Sequence, residues 1–191
     1  MRANDLPLYY NAVDILERNL PHRADKVAIY SDDGQLTFGE ISAQVNQVGH
    51  ALRELGVRPG ESVAILALDS PAWVAAYFGT IKIGAVAASF NTLLTAAEYQ
   101  YMLADCRARV LIVHAPLAEK ALAVRDALPH LAHIVVIGAA PEGAVAFDQW
   151  IAAQHTELAT EPTHRDDFCC LNYSSGKIGR ASCRERVYVL V

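Results

Sequence analysis

The sequence predicts an α/β fold: a mostly parallel sheet flanked by helices, preceded by an N-terminal β-hairpin. Three observations carry this. Short runs rich in β-branched residues alternate with longer stretches of helical period, the pattern of βαβ units. The run at 62–68 is almost uninterruptedly apolar, as in a strand buried on both faces at the centre of a sheet. The apolar runs 27–30 and 36–38 flank Asp32, Asp33 and Gly34, and Asp-Gly between two such runs is a hairpin signal, because glycine accepts a positive φ without a Cβ clash.

Each later element has its own warrant. Thr37 and Glu40 stand in capping-box spacing, and Ile41, Val45, Val48, Leu52 and Leu55 recur at helical steps, so an amphipathic helix is expected there, ended by Gly56. After the turn at Arg58, Pro59 and Gly60 comes the central strand. Ser70 and Pro71 then read as an N-cap with proline at the first helical position, and Trp73, Val74, Tyr77, Phe78 and Ile81 are expected to form a largely buried side. Gly84 suits the C-cap of this helix, and Lys82 complements its negative end.

Thr95 and Glu98 repeat the capping-box spacing before Tyr99, Met102 and Leu103, and residues 110–113 form the next strand. Leu117, Ala121, Val124 and Leu128 predict a helix, 133–137 a strand, and 147–153 a short helix. A polar stretch with Pro162 leads to an apolar run at 168–173, a strand that delivers Tyr173, Ser174, Ser175 and Gly176 at its C-terminal end.

Composition narrows the function. With 191 residues and 53% apolar content the chain packs a core, while a formal charge of −5 and the lack of a dense Lys/Arg stripe argue against nucleic acid and for a small-molecule ligand. The first residues lack the apolar stretch of a secretory signal, and no segment approaches the ~20 apolar residues of a membrane span, so a cytoplasmic location is expected. Cys106, Cys169, Cys170 and Cys183 form no disulfide-dense frame and are expected as reduced thiols.

Among candidate chemical groups, the turn at 173–176 is the most informative. Hydroxyls and backbone N–H groups leaving a strand suit an anionic polyphosphate, although Ser-Ser-Gly after a strand is more often an ordinary turn. Gly176 and Lys177 do not make a Walker A loop, since position 171 is Leu where that motif needs Gly. Asp166 and Asp167 are adjacent at a strand entrance, point to opposite faces, and suit capping or solvation. His130 and His133 flank a connecting segment without a third zinc ligand at suitable spacing. No Ser/His/Asp or Cys/His arrangement emerges, and no catalytic residue is assigned.

Four segments in order, 36–41 (Leu-Thr-Phe-Gly-Glu-Ile), 79–87, 91–95 (Asn-Thr-Leu-Leu-Thr) and 173–176 (Tyr-Ser-Ser-Gly), resemble the N-terminal part of the adenylate-forming acyl-CoA synthetases, the AMP-binding enzyme superfamily. The opening Tyr10, Asn11 and Ala12, the run 101–105 and the Asp166-Asp167 pair resemble benzoate-CoA and other aryl-CoA ligases in particular. The resemblance implies that residues 1–176 are the N-terminal part of the large adenylation domain, truncated. It implies an AMP-forming acid-thiol ligase using ATP, Mg²⁺ and coenzyme A, with Ser174, Ser175 and Gly176 as the residues carried over to nucleotide phosphate binding. A fatty-acyl-CoA synthetase is the alternative within the superfamily. A stand-alone flavodoxin- or Rossmann-like binding module is the alternative outside it, although no Gly-x-Gly-x-x-Gly turn follows the early strands.

The family loop reads Tyr-Ser-Ser-Gly-Ser-Thr-Gly-x-Pro-Lys-Gly, and this chain follows it only through Gly176 and again at Gly179. Lys177 and Ile178 replace Ser and Thr, and Ala181, Ser182 and Cys183 replace Pro-Lys-Gly. Residues 178–187 resemble instead one translated frame of a widely used sequencing adapter. The expectation is a native sequence that stops near Gly176, a foreign tail over 177–191, an open sheet edge, and no ligase activity in this chain by itself.

Overall fold

The computed structural model describes residues 6–32, 34–141 and 144–174, and the backbone of 185–187. Ser175 and Gly176 of the expected loop, Cys183 and the rest of 177–184 and 188–191, Asp33 and the side chain of Ser174 lie outside the described residues. Two short helices, α1 (Asp14–Glu17) and α2 (Leu20–Arg23), open the chain, and neither is signalled by the pattern of apolar residues. The hairpin follows as predicted, with β1 (Val27–Ser31) antiparallel to β2 (Gly34–Thr37). Phe38, expected at the strand end, is instead the first residue of α3 (Phe38–Glu54). Thr37 is the cap: its hydroxyl accepts from the Glu40 N–H while the Glu40 carboxylate accepts from the Thr37 N–H at 2.8 Å, so both exposed helix-end donors are satisfied.

The main sheet has the order β7-β6-β5-β3-β4-β8-β9. Its members are β3 (Ser62–Leu66), β4 (Val86–Ser89), β5 (Val110–His114), β6 (His133–Ile137), β7 (Val145–Ala146), β8 (Cys170–Ser174) and β9 (Glu185–Val187). All neighbours pair in parallel except β8 with β9. All five residues of β3 are buried, in the central position that its uninterrupted apolar run predicts.

Alternation along the strands divides the core. Val63, Ile65, Ala87, Val110, Ile112, Val135 and Cys170 face a layer made by α1, α3, α4 (Pro71–Lys82) and α7 (Phe147–Ala152). Ala64, Leu66, Ala88, Leu111, Val113, Ile134 and Val136 face α5 (Ala96–Cys106) and α6 (Ala115–Leu122). The result is a sheet between two helical layers, the arrangement that a doubly covered parallel sheet requires.

Three expectations are corrected. The helix predicted through Leu128 stops at Leu122 and continues as a 3₁₀ turn at Arg125–Ala127. Pro129 disfavours the helical conformation at Leu128, yet Val124 and Leu128 still reach the core, which is why the periodicity persists. In α4 Ile81 is buried as expected, but Ala75, Ala76, Gly79 and Thr80 form the rest of the buried face, while Trp73, Val74, Tyr77 and Phe78 are only partly buried. Small residues are selected there because α3 and α4 approach closely. Finally, the open edge expected at β8 is paired over Asn172, Tyr173 and Ser174 by β9.

Lys82 is also more than a dipole complement. Its side chain is buried and its ammonium is ion-paired with Glu17, which in turn accepts from the Thr160 hydroxyl at 3.1 Å. Asn11 joins the same junction, donating to the Ile81 carbonyl at 2.8 Å and the Glu161 carbonyl at 3.2 Å. The N-terminal segment, the end of α4 and the long return to β8 are thereby tied together. Farther along that return, Asn46 donates to the Thr156 carbonyl at 2.7 Å and Arg53 pairs with Glu161 at 3.0 Å.

The close approach of α3 and α4 is directly testable at Gly79. A Cβ there would lie 2.8 Å from Val48 Cβ and 2.9 Å from the Val45 carbonyl. Gly→Ala inside a helix ordinarily gains up to about 1 kcal/mol, whereas overpacking costs about 1–3 kcal/mol. Gly79→Ala is therefore expected to lower the urea midpoint with an unchanged slope, and a raised midpoint would refute the packing account.

Candidate phosphate-loop site

Parallel sheets place their ligands beyond the C-terminal ends of the strands, where successive connections diverge to opposite faces. Here the connection after β3 runs through α4 on one face, and the connection after β4 runs through α5 on the other. β8 lies beside β4, with Ser89 opposite Asn172. Of the four segments that carry the resemblance, 91–95 follows β4 and 173–176 begins with the last two residues of β8, its parallel neighbour. The other two are structural: 36–41 forms the end of the hairpin and the cap of α3, and 79–87 forms the close helix crossing and the turn into β4. In that turn Gly84 has φ +76°, as a helix-ending glycine requires.

The loop at 91–95 is ordered by short bonds. The Leu93 N–H donates to Asn91 Oδ1 at 2.9 Å, and the Tyr99 hydroxyl donates to the Asn91 carbonyl at 3.0 Å. Thr95 then starts α5 with the second capping box predicted from its spacing with Glu98. The Thr95 N–H, bonded to the Glu98 carboxylate at 2.8 Å, holds that carboxyl below the usual range.

Tyr173 is the anchor of the second loop. Its hydroxyl donates to Asp105 Oδ2 at 2.9 Å, with the Met102 carbonyl at 3.3 Å, and its ring meets Phe90 edge-on at a centroid distance of 5.5 Å. The last residue of β8 is Ser174, so a strand does lead into the expected turn, whose Ser175 and Gly176 lie outside the described residues. Burial, reinforced by Cys106 and Asp105, raises the Tyr173 phenol above its usual value and keeps it a donor. Burial likewise pushes the Cys106 thiol from 9.0 to about 11.

Asp105 received no role from the sequence, although a signal existed. It lies in the last turn of α5, where a negative charge opposes the helix dipole and is expected only with a tertiary partner. Asp166 and Asp167 close a turn, as the capping reading expects: Asp167 accepts from the His164 N–H at 2.8 Å, and Asp166 lies 3.5 Å from the His164 ring. His130 lies in the turn before β6 and His133 begins that strand. Cys106, Cys169 and Cys170 are thiols, none in a disulfide.

Tyr173→Phe is expected to cost about 1 kcal/mol at neutral pH through loss of the bond to Asp105. Its alkaline behaviour follows from linkage. The unfolded phenol ionises near about pH 10 and the folded one higher, so the folded state retains its proton longer and stability falls as pH rises above about 10. Denaturant titrations from pH 8 to 12 are expected to show a shallower alkaline decline in Tyr173→Phe, with Cys106 and Tyr77 sustaining the remainder. Identical slopes would remove Tyr173 from the linkage.

A family model described as AMP-binding enzyme matches residues 16–180. The chain is 37% identical over 180 residues to the benzoate-CoA ligase of Thauera aromatica, covering 93% of this chain and 34% of that protein. It is 38% identical over 157 residues to the 3-hydroxybenzoate-CoA ligase of Aromatoleum sp. (strain CIB), covering 82% and 30%. An anthranilate CoA ligase crystallised with anthranoyl-AMP superposes with a TM-score of 0.89 at 55% identity, over 92% of this chain and 33% of that one. A benzoate CoA ligase from Burkholderia xenovorans LB400 gives 0.78 at 30%, over 86% and 32%. The chain spans about a third of the length of the curated relatives it matches. These relatives do not favour the stand-alone flavodoxin-like reading, and the chain belongs to the AMP-binding enzyme family.

Proposed function

We propose that this chain is the N-terminal part of an ATP-dependent ligase that activates a benzoate-like aryl acid as its adenylate and passes the acyl group to coenzyme A. The observation that carries the reading is the pairing of β8 with β4, which sets Tyr173 against Phe90 just before the 91–95 segment and tethers it to α5 through Asp105. The names of the relatives favour an aryl over a fatty acid.

In this reading a carboxylate oxygen attacks the α-phosphate of ATP and pyrophosphate leaves, after which the coenzyme A thiol displaces AMP to form the thioester. Carboxylate oxygen is a poor leaving group and adenylate a good one. Ser174, Ser175 and Gly176 supply the turn that grips the phosphates, and preorganised donors stabilise the charge developing on the departing pyrophosphate. Mg²⁺ enters this scheme with ATP, as the Mg-ATP substrate. A cytoplasmic setting suits ATP and coenzyme A, and among the described residues no helix is long and apolar enough to cross a membrane.

Residues 177–191 are proposed to be foreign sequence. Three residues of antiparallel pairing by β9 do not weigh against this, because an open strand edge offers backbone donors and acceptors to any extended segment. Resequencing the locus is expected to show the native frame diverging after Gly176, and an uninterrupted native frame through Val191 would overturn the proposal.

The activity is tested by ATP-pyrophosphate exchange. The 191-residue chain is expected to show none with benzoate, whereas the protein encoded by the recovered full gene is expected to show benzoate-dependent exchange. Exchange by the short chain, or none by the full protein with any of a panel of aryl acids, would refute the corresponding half of the reading.

A further inference from the structure

The sheet has a second crevice beyond its strands, on the side away from β8. β3 and β5 are parallel neighbours, yet the chain leaves β3 through α4 on one face and β5 through α6 on the other. Such a divergence opens a ligand crevice at the C-terminal strand ends. A cavity of about 500 Å³ lies there, bordered by Ser70 after β3, His114 at the end of β5 and Ile137 at the end of β6. Residues of β2, α3 and α7 complete its walls. The volume falls within the range of roughly 300–1,000 Å³ that small-molecule sites occupy.

The lining selects the chemistry of an occupant. Leu36, Phe147 and Ile151 supply apolar surface. The half-buried Gln44 and the exposed Gln35 present amides, and among the described residues neither side chain has a hydrogen-bond partner. The local charge is negative, because Asp148 lines the cavity and, among the described residues, no Lys or Arg does. His114 adds no positive charge: its Nδ1 accepts from the Leu68 N–H at 2.9 Å, and a ring that accepts there is neutral.

We infer that this crevice is a binding site for a small, uncharged aromatic carboxamide. A carboxamide carries a carbonyl acceptor and an NH₂ donor, the same set as a glutamine side chain, so it can pair reciprocally with Gln35 or Gln44. Its N–H groups also suit the Asp148 carboxylate. A rigid ring covers the apolar residues while losing little rotamer freedom. A carboxylate or phosphate only accepts, meets like charge at Asp148 and gains no cation, so neither ATP nor the aryl acid proposed above is the occupant. The inference does not depend on the ligation reading.

The test uses the isotope-labelled 191-residue chain and the pair benzamide and benzoate, which differ only in the head group. In two-dimensional amide spectra, benzamide is expected to give saturable shifts of the Ala72, His114, Gly138 and Asp148 signals, and benzoate none at the same concentrations. Gln44→Leu removes one lining amide at similar volume and is expected to weaken benzamide about tenfold. Asp148→Lys, at an exposed position, supplies a cation and is expected to let benzoate shift the same signals. A dispersed amide spectrum confirms the fold of each variant, and the wild-type comparison of the two ligands decides the matter if a variant does not fold. Shifts that map elsewhere, benzoate acting on the wild-type chain as strongly as benzamide, or no saturable shift with the folded wild-type chain would overturn the inference. So would unchanged benzamide affinity in folded Gln44→Leu or no benzoate response in folded Asp148→Lys.

Discussion

Burial of β3 on both faces is the constraint from which the architecture follows. A five-residue strand with every residue buried cannot be covered by one helical layer, and its alternating side chains belong to two separate cores. Chain connections must therefore visit both sides of the sheet. The step through α4 covers one face and the step through α5 the other, creating the divergence beside which β8 inserts. The location of the loop site is thus a consequence of covering the central strand.

Inserting β8 beside β4 requires the chain to return from β7 at the opposite edge. That return has little apolar content and is secured by polar side chains from α3, including Asn46, His50 and Arg53. Asn11 and the Glu17–Lys82 pair secure the other end of the route. Removing one member of a buried ion pair strands its partner's charge, so this junction is specified by charge as well as shape. A segment without an apolar face can hold a fixed course when its backbone carbonyls are satisfied by a helix that is itself well buried.

Much of this was legible locally. The two Thr/Glu capping boxes, Ser70 with Pro71, Gly56, Gly84 and the apolar run of β3 each express a rule acting within a few residues, and each element starts or stops where that rule places it. The failures arise where tertiary packing decides. The aromatic side of α4 looked buried because aromatic residues dominate hydropathy, yet the close approach to α3 selects Ala and Gly. The four-residue helices α1 and α2 are too short to display a period. At the candidate site, Tyr173 and Ser174 were legible as a motif, whereas Asp105 and Phe90 lie far away in sequence and meet Tyr173 only through the fold.

β8, the strand that leads to the candidate loop, is restrained along its whole length. From Cys170 to Ser174, four residue steps at roughly 3.3 Å span about 13 Å. Between them β8 is held to β4 at Ala87–Cys170, Ala88–Leu171 and Ser89–Asn172, and Tyr173 is held to α5 through Asp105. The last of these restraints fixes the residue before the loop. Asp105 and Phe90 restrain Tyr173 independently of the β4 ladder, so the register of β8 and the placing of the residue before the loop are secured by separate contacts, one along the sheet and one from the helical layer that covers it.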